Sequence, residues 1–150
     1  MQGDMYGVDT GQGPAIELGI LPGDRFEDTE EKGRIAARQQ VWRTVYNALT
    51  LCQFQNPGVD LLLRALNAAT GWDWPSEDLL AAGKRILALK RSLNRRRGLT
   101  RADDRLPLLL TRPLSGGAEG HVPDLHTMLK GAYEELGWGL GCDGDAAVLY

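Results

Sequence analysis

The sequence contains few of the thiol and imidazole side chains that bind transition metals. It has only two cysteines, Cys52 and Cys142, which lie far apart in the chain, and only two histidines. No Cys-x-x-Cys pair occurs, so a metal site at Cys52 would need thiolates from outside this chain. Two distant cysteines also argue against the disulfide framework of a small secreted protein.

Long apolar runs and a strong net charge are also absent. No apolar run approaches the ~20 residues that span a bilayer. The N-terminus, Met1 to Asp4, lacks the basic and apolar regions of a signal peptide. The net charge of −3 gives no general attraction to nucleic acid or to an anionic membrane surface. We therefore expect a cytoplasmic protein with no nucleic acid and no membrane as partner.

The chain is long enough for one globular domain over residues 1–150, and 43% of its residues are hydrophobic. Residues 1–23 are rich in Gly and Pro, which predicts an irregular lead-in. The first helix is expected to begin at Asp28, with Asp28 and Glu31 as an acidic capping box, and to be ended by Asn56-Pro57-Gly58. Its apolar stripe, at helical spacing, consists of Ile35, Trp42, Val45, Tyr46, Leu49 and Cys52.

Two further helices follow. The second is predicted over 59–70 and is ended by Gly71. The third is predicted to begin with Ser76 as its N-cap and to stop at Gly98. Its expected buried stripe consists of Leu79, Leu80, Gly83, Ile86, Leu87 and Leu93.

Residues 99–123 form a long, Pro-rich extended connection, in which 106–110 could form a short strand. The last helix is expected to begin at Asp124 and to end at Gly137, and 139–150 form a degenerate tail. No segment alternates over six or more residues as a clear strand does. The predicted fold class is therefore all-α: an irregular multihelical domain with a Gly/Pro-rich N-terminal segment and an extended connection around 99–123.

The residue patterns alone give no reaction. Spacing places Cys52 on the apolar face of the first helix, as a buried core cysteine. Asn47 lies about 140° away around an ideal helix, so the two would meet one ligand only if the helix distorts before Cys52. Paired carboxylates can serve acid–base chemistry, but Asp103-Asp104 before Arg-Leu-Pro is more often a turn paired with arginines. The remaining candidates have structural interpretations: His121 and His126 as loop and cap residues, and Arg95, Arg96 and Arg97 as a helix end.

Several runs, in order and over about 100 residues, resemble the C-terminal portion of one enzyme family. They are Gln40 to Phe54, Thr70 to Trp74, Gly83 to Ile86, Arg91 to Gly98, Asp103 to Pro107, Pro113-Leu114, Met128-Leu129 and Tyr133 to Trp138. They are similar to the aldehyde ferredoxin oxidoreductases, tungsten or molybdenum pterin enzymes with one [4Fe-4S] cluster.

The resemblance implies roles for three residues. Cys52 would be the fourth thiolate of the [4Fe-4S] cluster, whose other three thiolates come from an upstream Cys-x-x-Cys-x-x-x-Cys run. Asn47 stands where the family usually has an Asp that hydrogen-bonds the pterin, and Leu51 would join it in the pterin pocket. In the complete enzyme the tungsten (or molybdenum) bis-pterin oxidises an aldehyde to a carboxylate, and electrons pass through the cluster to ferredoxin.

The sequence also departs from the family. The upstream cysteines are absent, the Gly-rich stretch Thr10 to Pro14 shortly after Tyr6 contains no His, and Leu136 replaces the usual Arg before Gly-Trp. We therefore expect a C-terminal domain that needs N-terminal and cluster-binding domains on the same or another polypeptide, and that has neither cofactor nor activity alone. The alternative is a non-enzymatic helical interaction module derived from that family. An exposed apolar face of Trp42, Tyr46 and Phe54, able to support a homodimer, is a further expectation.

Overall fold

A computed structural model describes residues 14–20, 24, 26–52, 57–113, 115–116 and 120–139. Within these ranges the chain forms four α-helices and no strand, which confirms the all-α class. The α-helices are α1 (Glu30–Ala48), α2 (Val59–Thr70), α3 (Ser76–Arg96) and α4 (Leu125–Leu136), and short 3-10 helices lie at Pro14–Leu18, Arg101–Asp103 and Leu108–Thr111. No helix in the described ranges has the length and hydropathy to cross a membrane.

Helix α1 crosses α4 at very short range, and two glycines make this possible. A Cβ built on Gly33 would lie 1.9 Å from the Met128 carbonyl oxygen, and one on Gly131 would lie 1.9 Å from the Glu30 carbonyl oxygen. Each glycine therefore sits directly against the backbone of the other helix. Ion pairs between Arg34 and Glu134 and between Arg38 and Glu135 flank this contact.

The opposite side of α1 forms the core. Trp42 and Tyr46 are each 1% exposed and meet edge to face, with ring centroids 5.1 Å apart. They pack with Ile20, Ile35, Val45, Val59, Leu62 and Leu79. The prediction that Trp42 and Tyr46 form an exposed apolar face is therefore wrong, because the chain's own core covers them. The third residue of that prediction, Phe54, lies outside the described residues.

The starts of two helices differ from expectation by one or two residues. Helix α1 begins after Thr29, whose hydroxyl accepts the Lys32 N–H at 3.1 Å. Asp28 is not the cap, because its carboxylate accepts the Asp124 N–H at 3.0 Å instead. Helix α3 begins at Ser76 itself, after Pro75, without a side-chain cap.

The ends of α2 and α4 follow the prediction. Gly71 and Gly137 take left-handed conformations, with φ of 75° and 69°, directly after the two helices. Asp124 caps α4, and its carboxylate accepts the Thr127 N–H at 3.2 Å. The buried stripe of α3 is shorter than expected, because Leu93 is 48% exposed.

The connection that follows α3 is held in place by an ion pair and hydrogen bonds of two carboxylates. Asp104 pairs with Arg91 at 2.7 Å and accepts a hydrogen bond from the Tyr133 hydroxyl. This confirms that Asp104 is a turn carboxylate paired with an arginine. Asp103 instead accepts the Thr100 N–H at 2.7 Å. The proposed strand at 106–110 is wrong, since a 3-10 helix runs through Leu108–Thr111.

Candidate functional site

The candidate site lies where α1 ends, at Ala48, earlier than the sequence indicated. The chain reverses through two hydrogen bonds: Thr50 N–H donates to the Asn47 carbonyl at 3.2 Å, and Leu51 N–H donates to the Tyr46 carbonyl at 3.0 Å. This pair of bonds is the Schellman motif, which closes a helix with one left-handed residue. The distortion needed before Cys52 is therefore present.

Thr50 is the left-handed residue of this turn, with φ of 57°. Within the described ranges it is the one non-glycine residue with positive φ. Glycine usually occupies this position, because a Cβ costs about 1–2 kcal/mol in the left-handed region. A β-branched residue there is an outlier, and such strain is concentrated at functional sites.

Cys52 lies beyond this turn and is exposed. The expectation of a buried core cysteine is wrong, because helical periodicity stops at Ala48 and no longer sets the direction of the later side chains. An exposed thiol is accessible to a group brought by another domain. A thiol enclosed by the core would not be.

The other two predicted site residues flank the turn. Asn47 is exposed in the last turn of α1, and its side-chain amide carries both an acceptor oxygen and donor hydrogens. Leu51 is half-buried and packs against the core. The structure thus brings Asn47 and Cys52 to one end of α1, with Leu51 anchoring the segment between them.

Tyr46 holds this segment from both sides. Its carbonyl accepts the Leu51 N–H, and its hydroxyl donates to the Pro57 carbonyl at 3.1 Å. Burial raises the pKa of the Tyr46 hydroxyl above its ordinary value, so this group stays protonated and continues to donate.

The site can supply only part of a metal centre. Over the described residues, no group of three or more His, Cys, Asp and Glu side chains is arranged to hold an ion. An iron–sulfur cubane takes four thiolates, so the exposed Cys52 fits one of its corners. The C-terminal end of a helix carries partial negative charge, which does not favour a thiolate, so bound iron would have to provide the compensating charge.

A second group of titratable residues has the properties of a structural ion pair. Burial raises the pKa of the Asp104 carboxyl, but hydrogen bonds from Arg91 and Tyr133 outweigh this, and the pKa lies below its ordinary value. Burial, followed by the bond to Asp104, raises the pKa of Tyr133. Because both partners hold Asp104 in its charged form, it is poorly suited to proton transfer near neutral pH.

The two histidines have structural surroundings. His121 Nε2 lies 3.1 Å from the Asp28 carboxylate, and its ring contacts Phe26 at a centroid distance of 5.3 Å. His126 lies in the first turn of α4. Both positions agree with the expected loop and cap roles.

Comparison with known families decides the relationship. The model of the family "aldehyde ferredoxin oxidoreductase, domains 2 and 3" matches residues 2–143. The chain belongs to the aldehyde ferredoxin oxidoreductase family. The resemblance inferred from the sequence runs is thereby confirmed.

Relatives in this aldehyde ferredoxin oxidoreductase family are much longer. The tungsten-containing aldehyde ferredoxin oxidoreductases of Thermococcus kodakarensis and Pyrococcus abyssi are each 36% identical over 120 residues, and that of Pyrococcus furiosus is 34% identical. Each match covers 77% of this chain and 20% of the relative, so the chain spans about a fifth of the relatives' length. No solved structure matches significantly.

Sequence reasoning missed Thr50. Gly, or less often Asn, is the usual sign of a left-handed helix end, and the run Leu49-Thr50-Leu51 contains neither. The stop predicted at Asn56-Pro57-Gly58 was the nearest conventional signal, and it lies eight or more residues beyond the observed end.

Proposed function

We propose that this chain supplies one corner of the metal centre of an assembled aldehyde ferredoxin oxidoreductase. Cys52 provides the fourth thiolate of the [4Fe-4S] cluster, and Asn47 and Leu51 form part of the pterin pocket. The single observation that supports this most is the exposed Cys52 thiol, presented beyond a fixed turn at the same end of α1 as Asn47.

When bound, the tungsten (or molybdenum) bis-pterin and the cluster would supply the oxidation of an aldehyde and water to a carboxylate, releasing two electrons to ferredoxin. This chain's own residues would hold the cluster and orient the pterin. Cys52 would fix the position of the cluster relative to α1. The Asn47 amide would accept a hydrogen bond from a pterin amino group, more weakly than a carboxylate would, because a charge-assisted bond is about twice as strong.

The remaining domains would come from the same or a separate polypeptide. Alone, the chain is expected to show no aldehyde oxidation and to retain no cluster, since one thiolate cannot hold a cubane. A cytoplasmic location is part of the proposal, because the free Cys52 thiol suits a reducing compartment.

The test uses the full chain, tagged at its natural locus and purified anaerobically with whatever binds it. We expect about four iron and four sulfide per chain in the complex. Cys52→Ser is expected to lose the cluster or to change its electron paramagnetic resonance spectrum. The matched control is Cys142→Ser, which removes the chain's other cysteine and is expected to leave iron content and spectrum unchanged.

An iron-free complex would contradict the proposal, and so would a cluster unaffected by Cys52→Ser. Either result would favour the second candidate, a helical interaction module that keeps the family's fold without its chemistry. The amide at Asn47, in place of the family's usual Asp, is the observation that favours this candidate.

A further inference from the structure

Helix α2 is apolar on two opposite sides. Val59 and Leu62, at 5% and 6% exposure, face the core, and Leu63 and Leu66 pack beside them. The other side is also apolar but open, with exposed Leu61, Ala65, Ala68 and Ala69. An apolar side of a helix is normally buried against another element. The fold of this chain covers only one of the two apolar sides of α2.

The loop after α2 extends this open side with an ordered aromatic pair. Trp72 stacks on Trp74, with ring centroids 4.5 Å apart and planes 19° from parallel, and Trp72 is 49% exposed. The Asn67 amide fixes the loop, because it donates to the Trp74 carbonyl at 3.0 Å and accepts the Trp74 N–H at 3.1 Å. The outer face of α2 is defined here as Leu61, Ala65, Ala68, Ala69 and Trp72.

The chemistry of the outer face selects an apolar protein surface as its partner. Asp60 and Arg64 lie at its edge, 3.8 Å apart, and neutralise each other. The remaining charge beside it, on the exposed Asp73, is negative and does not attract nucleic acid or an anion. The three alanines allow another backbone to come close, with Leu61 and Trp72 as larger side chains toward the two ends.

The size of the outer face argues against a second copy of the chain. Twelve helical residues are roughly 18 Å long and about 10 Å wide. That area is far below the ~800 Å² per partner of a standard stable interface. A partner that is held to the chain mainly by contacts elsewhere can still cover the outer face.

We propose that the outer face of α2 packs against the part of the aldehyde ferredoxin oxidoreductase that lies outside the region matched by this chain. The relatives carry about four-fifths of their length outside the matched region, which provides such a surface. The proposal rests on the proposed function only in requiring that the enzyme assembles. It does not require that Cys52 binds iron.

The test places a photo-crosslinking amino acid at Ala65 in the chain expressed at its natural locus. Arg85, exposed on α3, is the control position. After illumination and digestion, mass spectrometry identifies the attached peptide. We expect attachment from position 65 to exceed that from position 85 by about tenfold, and the peptide to match the enzyme family outside the region that this chain covers. Attachment to a second copy, to an unrelated protein, or at the control yield would each overturn the proposal.

Surface variants provide a second measurement. Leu61→Asp is expected to leave the melting temperature of the isolated chain nearly unchanged, because Leu61 is 57% exposed. It should reduce recovery of the partner by about tenfold, since covering a leucine contributes that much to affinity. Leu89→Asp, at 46% exposure on α3, is the matched control. Equal recovery from both variants would contradict the proposal, while loss of iron in Cys52→Ser with the crosslink intact would leave it standing.

Discussion

The close crossing of α1 and α4 makes Gly33→Ala the most informative stability variant. In an open helix this substitution would stabilise by about 1 kcal/mol, because alanine is the better helix former. Here the new Cβ would lie 1.9 Å from the Met128 carbonyl oxygen and 2.8 Å from its carbonyl carbon. Both atoms are backbone and cannot rotate away, so the helices must separate by more than about 1 Å, which overpacks the contact and shifts the flanking ion pairs.

We expect Gly33→Ala to lower the free energy of unfolding by about 3 kcal/mol, a large part of the total for a domain of this size. The melting temperature, followed by circular dichroism at 222 nm, should fall by about 6–12 °C. Gly58→Ala is the control, since nothing lies within 4 Å of its Cβ position. Because Gly58 is the N-cap of α2, where glycine is preferred to alanine, this control should lower the free energy of unfolding by no more than about 1 kcal/mol, well below the effect of Gly33→Ala. A Gly33→Ala chain as stable as the parent would refute the short-range crossing.

Three further variants test the site and its surroundings. Thr50→Gly should stabilise by about 0.5–1 kcal/mol in thermal unfolding, because it relieves the left-handed strain, and a loss of stability would count against that strain. Asp104→Asn should destabilise most near neutral pH. The lowered pKa of Asp104 means that its carboxylate stabilises above the unfolded pKa of about 3.9, and that this contribution disappears as the pH falls through the folded value. In urea unfolding, the difference in the free energy of unfolding between the parent and Asp104→Asn should therefore become smaller from pH 6 to pH 3. A difference that stays constant over this range would exclude a charge effect. Asn47→Asp should raise the pterin retained by the purified complex, measured by fluorescence after oxidation, and an unchanged amount would remove Asn47 from the pocket.

Sequence patterns predicted the elements that local signals define. The left-handed Gly71 and Gly137 and the Asp124 cap are each carried by a residue whose own chemistry favours the position, and all three are observed. The prediction placed the cap of the first helix at Asp28, whereas the neighbouring Thr29, which is also a good cap residue, caps it. Only the contact of Asp28 with the start of α4 explains the outcome, and that contact joins residues far apart in sequence.

Burial was harder to predict, because it depends on what lies opposite. Trp42 and Tyr46 belong to an apolar stripe whether the chain or another domain covers them, and periodicity cannot distinguish the two cases. The open side of α2 was missed for the same reason. At the site, the residues Asn47, Leu51 and Cys52 came from family resemblance, whereas the Thr50 turn that places Asn47 and Cys52 at one helix end came only from the structure.

The two hydrogen bonds of Tyr46 would affect electron transfer if Cys52 binds the proposed cluster. Leu51 N–H is bonded to the backbone carbonyl of Tyr46, and the Pro57 carbonyl is bonded to the Tyr46 hydroxyl, so the chain is attached to one buried residue on both sides of Cys52. With the proposed cluster bound, the Cys52 sulfur would then have less freedom to shift when the charge of the cluster changes. Small nuclear displacement means a low reorganisation energy, which speeds the passage of an electron. A tyrosine in the interior would in this way set how fast a redox centre at the surface exchanges charge.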